Sequence, residues 1–378
     1  MMLNRISRAV GTSLVSMFLL TALVAPASAT DKVKTLDIGA AAPDFSLPGV
    51  DGKTYSLKDF AAARILVVIF NCNHCPVAQA YEQRIMQMNS DYKDKGVALV
   101  VISPNDPQAE RLDEYGYTEL TDSFADMKIR ARERGFEFPY LYDGDTQTTA
   151  HAYGAVATPH VFIFDQERKL RYEGRIDDSD VKEIKSHDAR NALDALLAGK
   201  PVLVETTHVF GCSTKWASKR ADVAKALARW DAEKVEIKGI DAAGVAELAK
   251  GDAKKLRLVN VWATWCGPCV SEMPELETIN RMYRDRRPFE MATISMDEPE
   301  KMDRALETLN KFHVSGTNYL YTGGDKDKLI DALDKEWQGP LPYTMLIAPG
   351  GKVIYRTMGQ MDPMELKKAI VGYLGRTY

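Results

Sequence analysis

The sequence has no basic cluster and few cysteines, and each shortage argues against a class of function or site. Its formal net charge is -4 and no block of lysine or arginine stands out, which argues against a nucleic-acid partner because clustered cations bind phosphate backbones. It has five cysteines, an odd number. Four of them form two C-x-x-C pairs, Cys72 with Cys75 and Cys266 with Cys269, which leaves Cys212 alone. Neither pair has a second Cys/His pair nearby, so the sequence argues against a zinc site.

The first 29 residues have the pattern of a secretory signal. Arg5 and Arg8 supply a positive start, residues 9–24 are mostly apolar, and residues 27–29 form an A-x-A cleavage site. An uncleaved membrane anchor is the alternative, but the apolar run is short and polar residues interrupt it. We therefore expect an exported protein, periplasmic or extracellular, with no stable membrane insertion after cleavage. Outside the cytosol a disulfide persists, and a working dithiol needs an external electron donor.

The most informative stretch is Trp-Cys-Gly-Pro-Cys at residues 265–269. The apolar run 258–262 predicts a strand before it, and a helical pattern follows it. Cys266 then lies at a helix N-terminus, where free N–H groups and the helix dipole stabilise a thiolate. Cys269 lies one turn further on, close enough to form a disulfide or to resolve a mixed one. We therefore predict that Cys266 is a nucleophile and Cys269 its resolving thiol.

This stretch resembles the active site of the thioredoxin superfamily. A chance C-x-x-C is common, whereas this pentapeptide after a strand is specific. A structural disulfide and half of a zinc site are the alternatives. The resemblance implies that Trp265 contacts substrates. It also implies that Pro342, preceded by Leu341, is a cis-proline whose neighbouring backbone binds a substrate peptide.

The second pair also resembles the exported thiol reductases of cytochrome c maturation. Asn260 stands where cytosolic thioredoxins carry a buried aspartate, and Glu272 matches the acid that the exported reductases carry instead. The resemblance implies that Glu272 accepts the proton of the Cys269 thiol. A solvent-facing helix glutamate is the alternative.

The first pair lies in a similar context, because a predicted buried strand ends in Asn-Cys-Asn-His-Cys-Pro at residues 71–76. Together with A-P-D-F at 42–45 and D-G-K at 51–53, this part of the chain resembles peroxiredoxin-like and periplasmic thioredoxin-like domains. The resemblance implies that Pro159 is a second cis-proline and that Thr158 offers the backbone contact to a substrate. A trans proline at the start of a strand is the alternative.

His74 precedes Cys75, as in strongly oxidising exported dithiol proteins that this motif resembles. A histidine at that position favours the Cys72 thiolate and raises the reduction potential of the pair. A passive, exposed histidine is the alternative. In a peroxiredoxin Cys75 would be the peroxide-reacting cysteine, but Val68 and Cys72 stand where that motif has proline and threonine. The missing threonine argues against peroxidase activity.

Two further roles stay open at the first pair. Cu(I) could be held by Cys72, Cys75 and a histidine such as His151 or His160, since soft thiolates suit that ion. Our expectation, however, is that the protein uses no metal and no cofactor. Cys212 is either a third redox thiol that pairs with Cys75 or a buried apolar thiol.

Both pairs share one order of predicted elements: strand, C-x-x-C, helix, strand, helix, proline, strand, strand, helix. We therefore predict an α/β protein of two thioredoxin-like domains in tandem, each a central mixed sheet flanked by helices. The predicted ranges are a signal peptide at 1–29, a peroxiredoxin-like domain at 30–200, a connector at 201–232 and a second domain at 233–378.

The predicted function is that of a thiol-disulfide oxidoreductase. Its expected partners are protein thiols and disulfides and an external electron donor. The alternatives are a thiol peroxidase of the peroxiredoxin-like type and a Cu(I)-binding or redox-sensing module that uses Cys72 and Cys75. A further hypothesis is that electrons pass within one chain from the second pair to the first.

Overall fold

Two apolar runs become the central strands of two sheets. Ile65–Phe70 is buried at every position and Leu256–Trp262 at all but one, as strands covered on both faces must be. The computed structural model describes residues 33–180, 183–252 and 254–378. The predicted signal at 1–29 lies outside the described residues. Within those described ranges, no helix has the length and apolar character needed to cross a membrane.

The first half of the chain begins with a small hairpin and then alternates strands with helices. Its elements are β1 Ser46–Pro48, β2 Thr54–Ser56, β3 Ile65–Phe70, α1 Pro76–Tyr92, β4 Val97–Ser103, α2 Phe124–Arg134, β5 Tyr140–Tyr142, α3 Thr148–Tyr153, β6 Ala157–Thr158, β7 His160–Phe164, β8 Leu170–Gly174, α4 Asp188–Leu197, β9 Cys212–Ser213 and α5 Arg220–Asp231.

The first sheet has five strands in the order β5-β4-β3-β7-β8. β3, β4 and β5 are parallel, whereas β7 runs antiparallel to β3 and to β8. Phe70 at the end of β3 pairs with His160 at the start of β7. This register places the loop with Cys72 and Cys75 at the same end of the sheet as Pro159.

The second half of the chain builds a similar unit. Its elements are β10 Lys238–Ile240, α6 Ala242–Ala249, β11 Leu256–Trp262, α7 Gly267–Tyr283, β12 Phe289–Ser295, α8 Met302–Lys311, β13 Thr317–Tyr321, α9 Lys326–Leu333, β14 Tyr343–Ile347, β15 Val353–Met358 and α10 Pro363–Leu374.

The second sheet has six strands in the order β10-β13-β12-β11-β14-β15. β11 is parallel to β12 and antiparallel to β14. Val261 near the end of β11 pairs with Tyr343 at the start of β14, so the loop with Cys266 begins beside Pro342. Two mixed sheets, each flanked by helices, confirm the predicted fold class.

Local contacts set the bounds of two elements. The helix α4 begins at Asp188. Before it, the Asp178 carboxylate accepts hydrogen bonds from the amides of Lys185 and Ser186 at 2.9 and 3.1 Å, which favours a loop over a helix. The strand β10 at Lys238–Ile240 is a three-residue edge strand. A strand of three residues is too short to show an alternation of apolar and polar residues, so the sequence pattern does not define its position.

The two halves meet where a short helical turn of the first touches the end of α7 in the second. Tyr115 of that turn is buried in the apolar core of the second half. The Tyr283 hydroxyl donates to the Thr118 carbonyl at 3.0 Å, and Arg286 Nε donates to Asp113 Oδ2 at 2.9 Å. These contacts involve the C-terminal end of α7, whereas Cys266 lies at its beginning.

Candidate active sites

The second thiol pair lies at the start of α7, where Cys266 is 7% exposed and Cys269 is buried. Cys266 and Cys269 are joined in a disulfide with their Cα atoms 5.3 Å apart. Cys266 is the residue before the first turn of α7, and its Sγ accepts the amide of Cys269 at 3.3 Å. Trp265 beside it is 65% exposed, and Gly267 and Pro268 are also exposed. The predicted position of Cys266 at a helix N-terminus is confirmed, and exposed residues flank it on both sides.

A buried carboxylate lies behind this pair. Glu272 is 3% exposed, so the alternative of a solvent-facing helix glutamate is wrong. One Glu272 oxygen accepts Asn260 Nδ2 at 2.9 Å and the other accepts the Met361 amide at 3.2 Å. Burial raises the pKa of Glu272 above its ordinary value, although these two hydrogen bonds act in the opposite direction. A carboxyl group with a raised pKa suits proton exchange with a thiol better than an ordinary one.

Both predicted cis-prolines are cis. The peptide bonds Leu341-Pro342 and Thr158-Pro159 have that geometry. Pro342 is buried and Leu341 is half-buried next to the second pair, where the register of β11 and β14 places them. Their predicted part in substrate binding stays a prediction.

The first thiol pair is enclosed. Cys72 and Cys75 are free thiols with exposures of 1% and 0%. Cys72 Sγ lies 3.1 Å from Thr158 Oγ1, and Cys75 Sγ lies 3.6 Å from the Thr158 carbonyl oxygen. Cys75 precedes the first turn of α1, and its Sγ accepts the amide of Ala78 at 3.5 Å. The two sites therefore differ in their helix cap, which is the first cysteine of the pair, Cys266, in one and the second cysteine, Cys75, in the other.

His74 belongs to a buried charged cluster. Its Nδ1 lies 2.7 Å from Asp122 Oδ2 and 3.7 Å from Glu110. The other Asp122 oxygen accepts the amides of Asn73 and His74 at 2.8 and 3.0 Å, and Asn105 donates to the carboxylate at 2.6 Å. His74 is buried, so the alternative of a passive, exposed histidine is wrong. Asp122 fixes the loop between the two cysteines and the orientation of the ring.

The three ionisable groups of this cluster differ in the direction of their pKa shifts. Burial opposes a charge on His74, but Asp122 and Glu110 raise its pKa from 6.5 to about 9. Burial also opposes a charge on Asp122, yet the His74 imidazolium and several hydrogen bonds hold the pKa of Asp122 well below its ordinary value. Burial and the nearby Asp122 charge raise the pKa of Glu110 well above its usual range. At neutral pH His74 is therefore protonated and faces the Asp122 carboxylate.

The two thiols of the first pair also differ in the direction of their pKa shifts. Burial, a hydrogen bond with Cys75 and the Asp122 charge raise the pKa of Cys72. Burial also opposes a charge on Cys75, but hydrogen bonds from Cys212 and Cys72, the His74 charge and the helix amide lower its pKa. The directions of both shifts are opposite to the expectation that His74 favours a Cys72 thiolate. The positive ring and the start of α1 both favour the thiolate of Cys75.

Part of the predicted connector covers the first site. β9 pairs antiparallel with β6, with Cys212 opposite Thr158. Thr158 and Pro159 are both buried, so the surface predicted to bind a substrate peptide at the first site is occupied by the chain itself. A pocket of about 260 Å³ remains at this place, and its lining includes His74, Pro76 and Cys212. Tyr378 and Arg286 of the second half also line it.

The structure does not bring the two thiol pairs together. The pocket at the first pair is lined by Arg286, just beyond the end of α7, whereas Cys266 precedes the first residue of that helix. α7 has 17 residues and is therefore about 25 Å long at 1.5 Å per residue. Direct thiol-disulfide exchange needs contact between sulfur atoms, so the hypothesis of exchange within one chain does not fit this arrangement.

Each half of the chain matches a known protein family. Residues 38–173 match the AhpC/TSA family and residues 244–370 match the Redoxin family. The thiol-disulfide oxidoreductase ResA of Bacillus thuringiensis (strain Al Hakam) is 26% identical over 144 residues, which cover 38% of this chain and 69% of that protein. ResA of Geobacillus thermodenitrificans (strain NG80-2) is 28% identical over 111 residues, which cover 29% of this chain and 58% of that protein. The chain belongs to the thioredoxin superfamily.

This thioredoxin-like chain carries its two redoxin domains in tandem, and it is an enzyme of the thiol-disulfide oxidoreductase class. It is also similar to the crystal structure of a hypothetical protein from Sinorhizobium meliloti 1021. That protein is 33% identical, with a TM-score of 0.44, and the similarity covers 49% of this chain and 97% of that one.

A metal fits the first domain of this thioredoxin-like protein poorly. Cys72, His74 and Asp122 place possible ligand atoms within 4.8 Å of one another. Among the described residues, neither His151 nor His160 joins this group, and the His151 ring stacks on Trp216 at 4.2 Å. His74 would have to lose a proton that it holds up to about pH 9, because metals bind neutral imidazole.

Sequence reasoning missed the residues that organise each thioredoxin-like site. Asp122 comes directly before Ser123, the cap of α2, so in the sequence it resembles an ordinary acidic residue at a helix start. Only the fold brings its carboxylate to the loop after β3, 48 positions away. Thr344 was missed in the same way, although its hydroxyl accepts Asn260 at 3.0 Å. Polar residues inside otherwise apolar strands were the available signal, because a buried polar group needs a partner.

Proposed function

We propose that this chain is an exported thiol-disulfide oxidoreductase that acts on disulfides of other proteins through Cys266 and Cys269. The observation that carries the proposal is the position of Cys266 before the first turn of α7, between the exposed Trp265, at 65%, and the exposed Gly267. A disulfide on a folded or partly folded protein can approach such a site. The ResA relatives, named as thiol-disulfide oxidoreductases, support the same chemistry.

The proposed reaction moves two electrons from the enzyme to the substrate. In the reduced enzyme the Cys266 thiolate attacks one sulfur of a substrate disulfide, and the other substrate sulfur leaves as a thiolate that takes up a proton. Cys269 then attacks Cys266 Sγ, which releases the second substrate thiol and forms the Cys266–Cys269 disulfide. An external dithiol donor reduces this disulfide and is itself oxidised to a disulfide.

Two neighbouring features support this cycle. Glu272 is the proposed acceptor of the Cys269 proton, since it is buried and its pKa is raised. Asn260 is a positioning residue, because its Nδ2 contacts both Glu272 and Thr344. Leu341 and Pro342 are the proposed backbone contacts for an extended substrate peptide, with Trp265 as an exposed apolar contact.

Export is part of the proposal and depends on residues 1–29. Their charged start, apolar run and A-x-A site have the pattern of a cleaved signal. The ranges 30–200, 201–232 and 233–378 likewise stay predictions. Fractionating cells that express the full chain and a variant lacking residues 2–29 tests export. Equal recovery of the two forms in the cytosolic fraction would refute it.

The test of the chemistry is the reduction of insulin by dithiothreitol, catalysed by the purified chain. Cys266→Ser should remove most of the catalysed rate, because no other thiol replaces the attacking group in that domain. Thr278→Ala on the same helix is the matched control and should keep the full rate. An unchanged rate in Cys266→Ser would refute the role of this pair. Cys269→Ser should accumulate mixed disulfides in cells, and these identify the substrates.

A thiol peroxidase at Cys75 is a second candidate function. The lowered pKa of Cys75 and the AhpC/TSA match support it. Two observations argue against this activity. Cys75 is buried, and Val68 and Cys72 stand in place of the proline and threonine of the peroxiredoxin motif. Consumption of hydrogen peroxide with dithiothreitol as reductant measures this activity. A rate that Cys75→Ser leaves unchanged, or a rate no higher than without protein, would exclude it.

A further inference from the structure

A segment of the chain lies along the first site as an added strand. The Thr207 amide donates to the Glu173 carbonyl at 3.1 Å, and the Thr214 amide donates to the Val156 carbonyl at 3.1 Å. Between these two anchors, Cys212 pairs with Thr158 across β9 and β6. The free edge of a short strand is a binding place for an extended peptide. Here residues of the same chain fill that edge.

Gly211 allows this close approach. A Cβ atom at this position would lie 2.1 Å from the Thr158 carbonyl oxygen and 3.3 Å from Pro159 Cδ. Its φ of 149° is also one that residues with a side chain rarely adopt. The segment therefore sits against the backbone before Pro159 without room for a side chain, and this places the next residue, Cys212, at the thiol pair.

The three cysteines of the first site meet at Thr158. Cys72 Sγ lies 3.1 Å from Thr158 Oγ1, Cys75 Sγ lies 3.6 Å from the Thr158 carbonyl oxygen, and Cys212 pairs with Thr158 across β9 and β6. Cys72 and Cys75 are buried, whereas Cys212 is partly exposed and lines the pocket of about 260 Å³. Among these three thiols, Cys212 is therefore the one in contact with the space outside the site.

We propose that Cys212 is a third redox residue of the first site, which exchanges disulfides with Cys75 and connects the enclosed pair to the pocket. The proposal rests on the thiol-disulfide chemistry proposed above. In the exchange the Cys212 thiolate attacks Cys75 Sγ, the Cys75–Cys212 bond forms and the Cys72–Cys75 bond breaks. Cys72 leaves as a thiolate and takes up one proton, which replaces the proton that Cys212 lost. No electrons are gained or lost in this step.

The charges around Cys212 support this direction of attack. In the reduced site a hydrogen bond with Cys75, burial and the Cys75 charge raise the pKa of Cys212, and Lys215 acts in the opposite direction. Once Cys75 is in a disulfide, its hydrogen bond and its charge are gone, whereas Lys215 remains. Cys212 then ionises more readily, at the stage of the cycle in which it is needed as a nucleophile.

The experiment uses the full chain with Cys266→Ser and Cys269→Ser, so that only the three thiols of the first site remain. Glutathione disulfide serves as the oxidant, and each protein disulfide formed reduces one molecule of it to two of glutathione. Samples are quenched with acid, free thiols are alkylated, and disulfide-linked peptides are identified by mass spectrometry. Adding Cys72→Ser should give the Cys75–Cys212 disulfide. Adding Cys75→Ser is the matched control and should give no link between Cys72 and Cys212.

The decisive comparison is with Cys212→Ser, in which only the Cys72–Cys75 disulfide can form. If Cys75 and Cys212 stay free in the Cys72→Ser variant, under conditions that link Cys72 to Cys75 in Cys212→Ser, the proposal is wrong. Circular dichroism of each variant reports on folding, and Cys72→Ala is the second variant if Cys72→Ser does not fold.

A second test changes the backbone at Gly211 and asks whether the position of the segment controls formation of the Cys75–Cys212 disulfide. Gly211→Ala should displace the segment and slow formation of the Cys75–Cys212 disulfide at least tenfold. Gly199→Ala is the matched control, since that glycine also has a positive φ but its Cβ would meet no atom within 4 Å. An equal rate in the two variants would overturn the proposal. Insulin reduction, measured on Gly211→Ala with Cys266 and Cys269 intact, should be unchanged, so a failure here is distinct from a failure of the proposed function.

Discussion

Replacing Asp122 by asparagine removes the negative partner of the buried His74 imidazolium. The folded chain raises the pKa of His74 from 6.5 to about 9. Because each pKa unit corresponds to about 1.4 kcal/mol, the cluster stabilises the folded state by about 3 kcal/mol when His74 is charged. Breaking a buried ion pair from one side typically costs about 3 to 5 kcal/mol, which agrees in size.

The pH dependence has a definite sign. Between about pH 6.5 and 9 the folded chain holds a proton on His74 that the unfolded chain has released. This contribution to stability is therefore fully present below about pH 6.5 and is lost as the pH rises through about 9. The free energy of unfolding should fall by about 3 kcal/mol across that window in the native chain, and the slope should disappear when His74 has no charged partner.

The variants must account for Glu110, which lies 3.7 Å from His74. Its pKa is raised partly by the Asp122 charge, so Glu110 ionises more easily once Asp122 is neutral. Asp122→Asn should therefore remove part of the effect, and Asp122→Asn with Glu110→Gln should remove all of it. Urea unfolding at pH 6.5 and 9 measures the difference, in a background where serine replaces the three thiols of the first site.

Direct titration of the His74 ring by NMR is the independent check, and His74→Asn assigns its signals among the six histidines. A ring that titrates near pH 6.5 would refute the reasoning. So would a native chain whose unfolding free energy stays constant within about 0.5 kcal/mol between pH 6.5 and 9.

Three further outcomes follow from the structure. Glu272→Gln should slow insulin reduction about tenfold or more and abolish the fall in rate on the acid side, which the raised pKa of Glu272 places above pH 4.5; an unchanged pH profile would remove Glu272 from the mechanism. Arg376→Gln leaves the buried carboxylate of Glu119 unpaired and should cost about 2 kcal/mol in urea unfolding. Lys368→Gln, whose partner Glu133 is about a third exposed, is its control and should cost less than about 1 kcal/mol. The rate constant for oxidation of the second thiol pair by the first should rise in proportion to protein concentration, because about 25 Å of helix separates the two pairs. A rate constant independent of concentration would show transfer within one chain.

The sequence alone determined the local features of both sites. Short, mostly apolar runs that end at a turn predicted strands buried on both faces, and both appear as central strands. Pro76 and Pro268 follow cysteines at the start of helices, where proline lacks an N–H that would be unpaired anyway. Cys266 and Cys75 are therefore fixed at helix N-termini by neighbours within a few positions. Both cis-prolines were also predictable, from the resemblance of the two domains to the superfamily.

Tertiary structure decided everything that depends on distant residues. Asp122 reaches His74 across 48 positions and reverses the prediction of which first-site thiol is charged. Cys212 lies opposite Thr158 only because residues 205–216 fold back along that edge. A sequence pattern reports periodicity and near neighbours, whereas the pKa of a buried group depends on every charge within a few ångströms. The surroundings of the two thiol pairs were decided in the same way: exposed residues flank Cys266, whereas a distant segment of the chain packs against Thr158 beside Cys72 and Cys75.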